Sequence, residues 1–135
     1  MASILIVDDD EDDLALFCEV VRELEPSINC IITRNCGEAL KCLRLHYPAT
    51  PALIVMDLHL PGIDGLECLA EIKKDESFQN IPVVIYTGSI PVNDQTKGYT
   101  LVAKYYLEKP NNLSNLRAPL REILEQEMIL HNMNN

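Results

Sequence analysis

No pair among the five cysteines of this sequence has C-x-x-C spacing, and the count is odd. Both facts argue against a disulfide framework and against a zinc site. The thiols read instead as small buried hydrophobes in a reducing compartment. No apolar run approaches the ~20 residues of a membrane span, and no basic segment leads an apolar one at the N-terminus. A soluble, cytoplasmic protein with no membrane partner is expected. Basic residues are scarce as well: 11 Lys and Arg stand against 21 Asp and Glu, for a net charge of −10. Binding to phosphate backbones needs basic surface, so nucleic acid is not an expected partner. Internal repeats, low-complexity tracts and linkers are absent too. The 135 residues therefore read as one domain over 1–135, with a core over about 3–130. A hydrophobic content of 47% can supply that core and argues against disorder.

What is present is an alternation of short β-rich runs with longer helical patterns. Strands are predicted over 3–7, 29–33, 52–56, 83–86 and 104–108. Helices are predicted over 12–24, 36–45, 64–74, 92–103 and about 114–131, with Leu14, Phe17, Val21 and Leu24 showing the helical spacing. Pro26 and Pro48 close the first two helices, and Pro119 is expected in the first turn of the last, unless that helix starts later than residue 114. The strands are apolar almost throughout. That pattern means burial on both faces, hence an α/β fold with a five-stranded parallel sheet between two layers of helices and right-handed crossovers.

In open parallel sheets, ligands bind outside the carboxyl ends of the strands. Four strand ends are chemically conspicuous. Asp8, Asp9 and Asp10 follow the first, in ILIVDDD. Asp57 ends the third, Thr87-Gly88-Ser89 the fourth, and Glu108-Lys109-Pro110 the fifth. Each has a plain reading. The aspartates could cap the first helix and favour its dipole, which explains one of them well and three poorly. Thr87 could be an ordinary strand former and Lys109 a surface lysine. Together they gather acids, a hydroxyl and an ammonium at one edge. Converging carboxylates suit a hard divalent cation such as Mg²⁺. A carboxylate can also act as a nucleophile towards phosphorus, and a metal, a lysine and a hydroxyl suit the oxygens of a phosphoryl group. Gly88 leaves open space beside Thr87. Asp64 is a cap for the helix after the Pro61-Gly62 turn, and Asp10 serves the loop or helix start. Tyr105 and Tyr106 must face opposite ways at a strand end.

The segments ILIVDDD, ALIVMDLHLPGIDGLECL, IPVVIYTGS and YYLEKP, in this order, resemble the receiver domain of two-component response regulators, over essentially the whole chain. The resemblance implies a doubly wound (βα)5 sandwich, flavodoxin-like or CheY-like, with sheet order 2-1-3-4-5. It implies that Asp57 is the phosphoacceptor, served by a sensor histidine kinase or a histidine phosphotransfer protein. Asp8, Asp9, Asp57 and the backbone carbonyl of His59 would hold Mg²⁺. Lys109 would pair with the phosphoryl oxygens. Thr87 and Tyr106 would be the switch residues, and His59 and Ser89 the residues that tune the lifetime of the phosphorylated form.

Some features depart from the family pattern. Val102-Ala103 stands where many members carry Gly-Ala, and IPVNDQTKGYTL, with Gly98, reads as weakly helical. A short fourth helix is therefore expected. No output domain is expected, so the output would be a protein contact made by a monomer or homodimer, or phosphoryl transfer to another carrier. A pseudo-receiver acting as a constitutive interaction module is a second reading, opposed by the complete acidic set. An aspartate-nucleophile phosphatase is a third. Such enzymes place a second Asp two residues after the nucleophile, where this chain has His59.

Overall fold

The computed structural model describes residues 2–46, 49–88, 103–127 and 129. Five strands, β1 (Ser3–Val7), β2 (Asn29–Thr33), β3 (Leu53–Met56), β4 (Val83–Thr87) and β5 (Tyr105–Glu108), form one sheet. All its pairings are parallel and the order is β2-β1-β3-β4-β5, as expected. The described helices are α1 (Glu11–Leu24), α2 (Cys36–Leu45), α3 (Gly65–Lys73) and α4 (Leu113–Gln126).

The central strands are buried along their whole length, so their side chains alternate between two helical layers. Ile4, Ile6, Val55 and Tyr86 pack with Phe17 and Val20 of α1 and with Leu116 and Leu120 of α4. Leu5, Val7, Ile54 and Ile85 pack on the other side with Ala39 and Leu43 of α2 and with Leu69 and Ile72 of α3. Each such aliphatic side chain contributes about 1.5–3 kcal/mol by leaving water. The outer strands β2 and β5 are only partly buried.

Caps set the helix starts. Asp10 accepts from the backbone N–H groups of Asp12 and Asp13, Asn35 from Glu38, and Asp64 from Glu67. Asp10 therefore serves the helix start. The first helix ends at the Glu25 C-cap, just before Pro26.

Two expectations need correction. Pro119 does not sit in the first turn of the last helix. That helix starts at Leu113 on an Asn112 cap, and Pro119 lies inside it. Leu116, Leu120 and Leu124, all buried, hold the helix against the core despite the missing N–H. The reading of all five cysteines as unpaired also fails. Cys36, at the start of α2, and Cys68, in α3, are joined by a disulfide with Cα atoms 5.6 Å apart. The topology brings two buried positions 32 residues apart into one layer, which spacing along the chain cannot show. Cys18, Cys30 and Cys42 are free thiols. The helix predicted over 92–103 lies, except for Ala103, outside the described residues. So do Ser89, Pro48 and the predicted end of the last helix at residue 131.

Candidate functional site

The register aligns the carboxyl ends of the strands: Val7 pairs with Thr33 and Met56, Met56 with Ile85, and Thr87 with Glu108. The ladder then runs one residue further at three of these ends. Asp8 donates its N–H to the Thr33 carbonyl at 3.0 Å, Asp57 to Val7 at 3.0 Å, and Lys109 to Thr87 at 2.8 Å. Backbone pairing thus fixes where Asp8, Asp57 and Lys109 leave the sheet, and all three leave at the same edge.

Asp8 is 2% exposed and Asp57 5%, whereas Asp9 is exposed. One carboxylate oxygen from each lies within 4.8 Å of the others. The ammonium of Lys109 stands among them, 2.9 Å from Asp8 Oδ2 and 3.2 Å from Asp57 Oδ2. The Asp8 contact is an ion pair without hydrogen-bond alignment. The other Asp57 oxygen accepts from the His59 backbone N–H at 3.2 Å, and Asp8 Oδ1 accepts from the Asp10 N–H at 3.0 Å. The His59 side chain faces solvent.

The charges do not balance locally. Burial pushes the Asp8 carboxyl up to about 6, with Asp57 adding repulsion, although the Asp10 N–H and Lys109 oppose the rise. Burial works against the Lys109 ammonium, but its hydrogen bond to Asp13, its ion pair with Asp8 and the charge of Asp57 hold it above the usual lysine value. Several carboxylates around one ammonium form a set of hard oxygen donors with negative charge left over. That chemistry fits a divalent cation.

Thr87 Oγ1 and Tyr86 Oη are buried and have no hydrogen-bond partner among the described residues. Thr87 is fully buried at the end of β4, so its hydroxyl is a donor with unused capacity at this edge. A Cβ on Gly88 would meet nothing within 4 Å, in keeping with open space beside it. The two tyrosines of β5 differ as alternation requires. Tyr105 packs against the core and donates its hydroxyl to Glu127, while Tyr106 is 39% exposed.

Three contributors escaped the sequence reading. Asp13, in the first turn of α1, binds the Lys109 ammonium at 2.8 Å. Its signal was its spacing, one helical turn beyond the Asp9-Asp10 pair. Tyr86 lies beneath the site, with Lys109 Nζ 5.6 Å from its ring centre and Phe17 packed against the ring. Gly65 lets α3 touch the acidic loop. A Cβ there would fall 2.2 Å from the Asp57 carbonyl oxygen and 2.8 Å from Leu58 Cα. The Gly65 N–H also donates to Leu58 O at 3.0 Å.

Residues 4–121 match the response regulator receiver domain family. Response regulator Rcp1 of Synechocystis sp. is 37% identical over 117 residues, which take in 84% of this chain and 80% of that protein. The probable methanogenesis regulatory protein FilR2 of Methanothrix harundinacea is 33% identical over 125 residues, 90% of this chain and 81% of its own. The phosphorylated cyanobacterial phytochrome response regulator RcpA superposes with a TM-score of 0.82 at 34% identity, over 94% of each chain. The Mn²⁺-bound form of Rcp1 does so with a TM-score of 0.78 at 35% identity, over 93% of each. The chain belongs to the response regulator receiver domain family of two-component signalling.

Proposed function

We propose that this receiver domain takes a phosphoryl group onto Asp57 from the phosphohistidine of a sensor histidine kinase or a histidine phosphotransfer protein, and thereby switches a protein contact. The observation that carries the reading is the convergence of Asp8, Asp9 and Asp57 within 4.8 Å, with Lys109 on the same oxygens. Mn²⁺ binding by Rcp1 and phosphorylation of RcpA, both similar to this chain, support it.

In this reading Asp8, Asp9, Asp57 and the His59 carbonyl would hold Mg²⁺, which when bound would offset charge on the phosphoryl oxygens. Asp57 attacks phosphorus through a carboxylate oxygen. The P–N bond of the donor breaks, its electron pair stays on the imidazole nitrogen, and that nitrogen takes a proton from solvent. The His59 N–H restrains one Asp57 oxygen and so helps aim the other. Lys109 pairs with the added oxygens; at about 3 Å such a contact is worth roughly 5 kcal/mol at an effective dielectric of about 20. Thr87 spends its unused hydroxyl on the same group, and Tyr106 responds as Thr87 moves. The exposed His59 side chain tunes how readily water reaches the acyl phosphate. A two-state equilibrium shifts by the differential affinity of its states for the phosphoryl group.

Incubation with Mg²⁺ and a small phosphodonor, followed by intact mass, tests this. The native chain should gain one phosphate and Asp57→Asn none. Equal uptake by Asp57→Asn would refute the assignment.

A further inference from the structure

Away from the acidic edge, two free thiols meet across an element boundary. Cys18 lies on α1 and Cys30 on β2, the strand at the edge of the sheet. They are within hydrogen-bonding reach of each other, and Arg22, one helical turn beyond Cys18, acts on both. Both are half-buried, unlike the bonded Cys36 and Cys68, which are shielded from solvent. They line an open cleft of about 240 Å³ together with Val21, Arg22, Ile28 and Ile32. The plain reading is a pair of small side chains packed beside the core. It accounts for their burial, but not for the pairing, the access or the adjacent cation.

We propose that Cys18 and Cys30 form an oxidisable dithiol, a modification site at which a small peroxide converts the pair into a disulfide. Cys18 is the attacking thiol and Cys30 the resolving one. The Cys30 contact, with Arg22, holds Cys18 below the ordinary thiol value against the effect of burial. The same contact, with burial, pushes Cys30 up. The Cys18 sulfur attacks one oxygen of the peroxide. The O–O bond breaks, the second oxygen leaves as water, and Cys18 becomes a sulfenic acid. The Cys30 sulfur then attacks the Cys18 sulfur, the S–O bond breaks, and a second water leaves. Two thiols and one hydrogen peroxide thus give one disulfide and two waters, and α1 becomes tied to the sheet edge. None of this depends on phosphoryl transfer to Asp57.

The test treats the native chain with equimolar hydrogen peroxide, blocks remaining thiols with iodoacetamide and maps peptides without reduction. A Cys18–Cys30 linked peptide is expected, with Cys42 alkylated. In untreated protein at neutral pH, Cys18 should alkylate several-fold faster than Cys42. In Cys30→Ser, Cys18 should stop at a sulfenic acid that a dimedone probe captures. Blocking of Cys18 and Cys30 to the same extent as Cys42 after peroxide would overturn the proposal. So would oxidation of Cys18 to the sulfinic acid without a link to Cys30. If Cys30→Ser does not fold, the linked peptide and the alkylation rates of the native chain decide alone.

Discussion

Lys109 and Lys73 make the same demand of the fold, since each brings an ammonium against three oxygens. Lys73, at the end of α3, donates to the carbonyls of Phe78, Gln79 and Ile81 at 3.3, 2.9 and 2.7 Å. It clamps the turn that leads into β4, at the amino end of the strands. Lys109 meets Asp8, Asp13 and Asp57 at 2.9, 2.8 and 3.2 Å, at the carboxyl end. Carbonyls are neutral, so burial lowers the Lys73 ammonium from its usual value. Carboxylates are not, and they hold Lys109 above its own. The Lys73 end is a finished structural contact. The Lys109 end keeps an excess of negative charge, and within it burial, with a smaller push from Asp57, raises the Asp8 carboxyl to about 6. A cleft of about 510 Å³ opens beside Lys73, Lys104 and Glu127, yet no acidic cluster that could hold a metal is found there among the described residues. The acidic edge, rather than this cleft, has the chemistry.

Breaking the Lys109 end should have the largest effect. Lys109→Met strips the cation from buried Asp8 and Asp57 and should cost about 3–5 kcal/mol in urea unfolding without divalent ions, with Mg²⁺ restoring part of it. Gly65→Ala should come next, at roughly 3 kcal/mol, because its Cβ would meet backbone rather than a mobile side chain. Lys73→Met should cost about 1–2 kcal/mol for carbonyls left without a donor, and should leave the response to Mg²⁺ unchanged. A Lys73→Met variant that lost its Mg²⁺ response would erase the distinction between the two ends.

The smallest effect belongs to Glu127. Burial would raise its carboxyl, but Lys104 at 2.7 Å and the Tyr105 hydroxyl hold it below the usual glutamate value. Its contribution is therefore present above the ordinary glutamate pKa and lost as pH falls through the folded one. Glu127→Gln should flatten that acid limb of a stability–pH curve by under about 1 kcal/mol.

Much of this architecture was legible in the sequence because the parallel sheet leaves a strong trace. Near-continuous apolar runs such as Leu53–Met56 have few alternatives to a doubly buried strand. The polar residues that follow such runs then gather at one edge, which is why Asp8, Asp57 and Lys109 could be named. Asp13 and Gly65 were not read because their roles depend on contacts between elements. Along the chain Asp13 is one of three acids in the first turn of α1, and Gly65 is the first residue of α3. The Cys36–Cys68 bond and the Cys18–Cys30 contact were hidden for the same reason. Neither pair is close along the chain, and only helix packing on the sheet unites them. Pro119 was misplaced because helix propensity ignores the tertiary packing that holds α4 against α1.

If the acidic edge carries charge that a divalent cation completes, a melting titration with Mg²⁺ will read that completion as added stability. Native protein should melt at progressively higher temperature as Mg²⁺ rises towards ~10 mM, since an ion that binds only the folded state stabilises it by RT ln(1 + [L]/Kd). Asp9→Asn should blunt the rise. A melting temperature that stays flat over that range in the native chain, or rises equally in Asp9→Asn, would contradict the account.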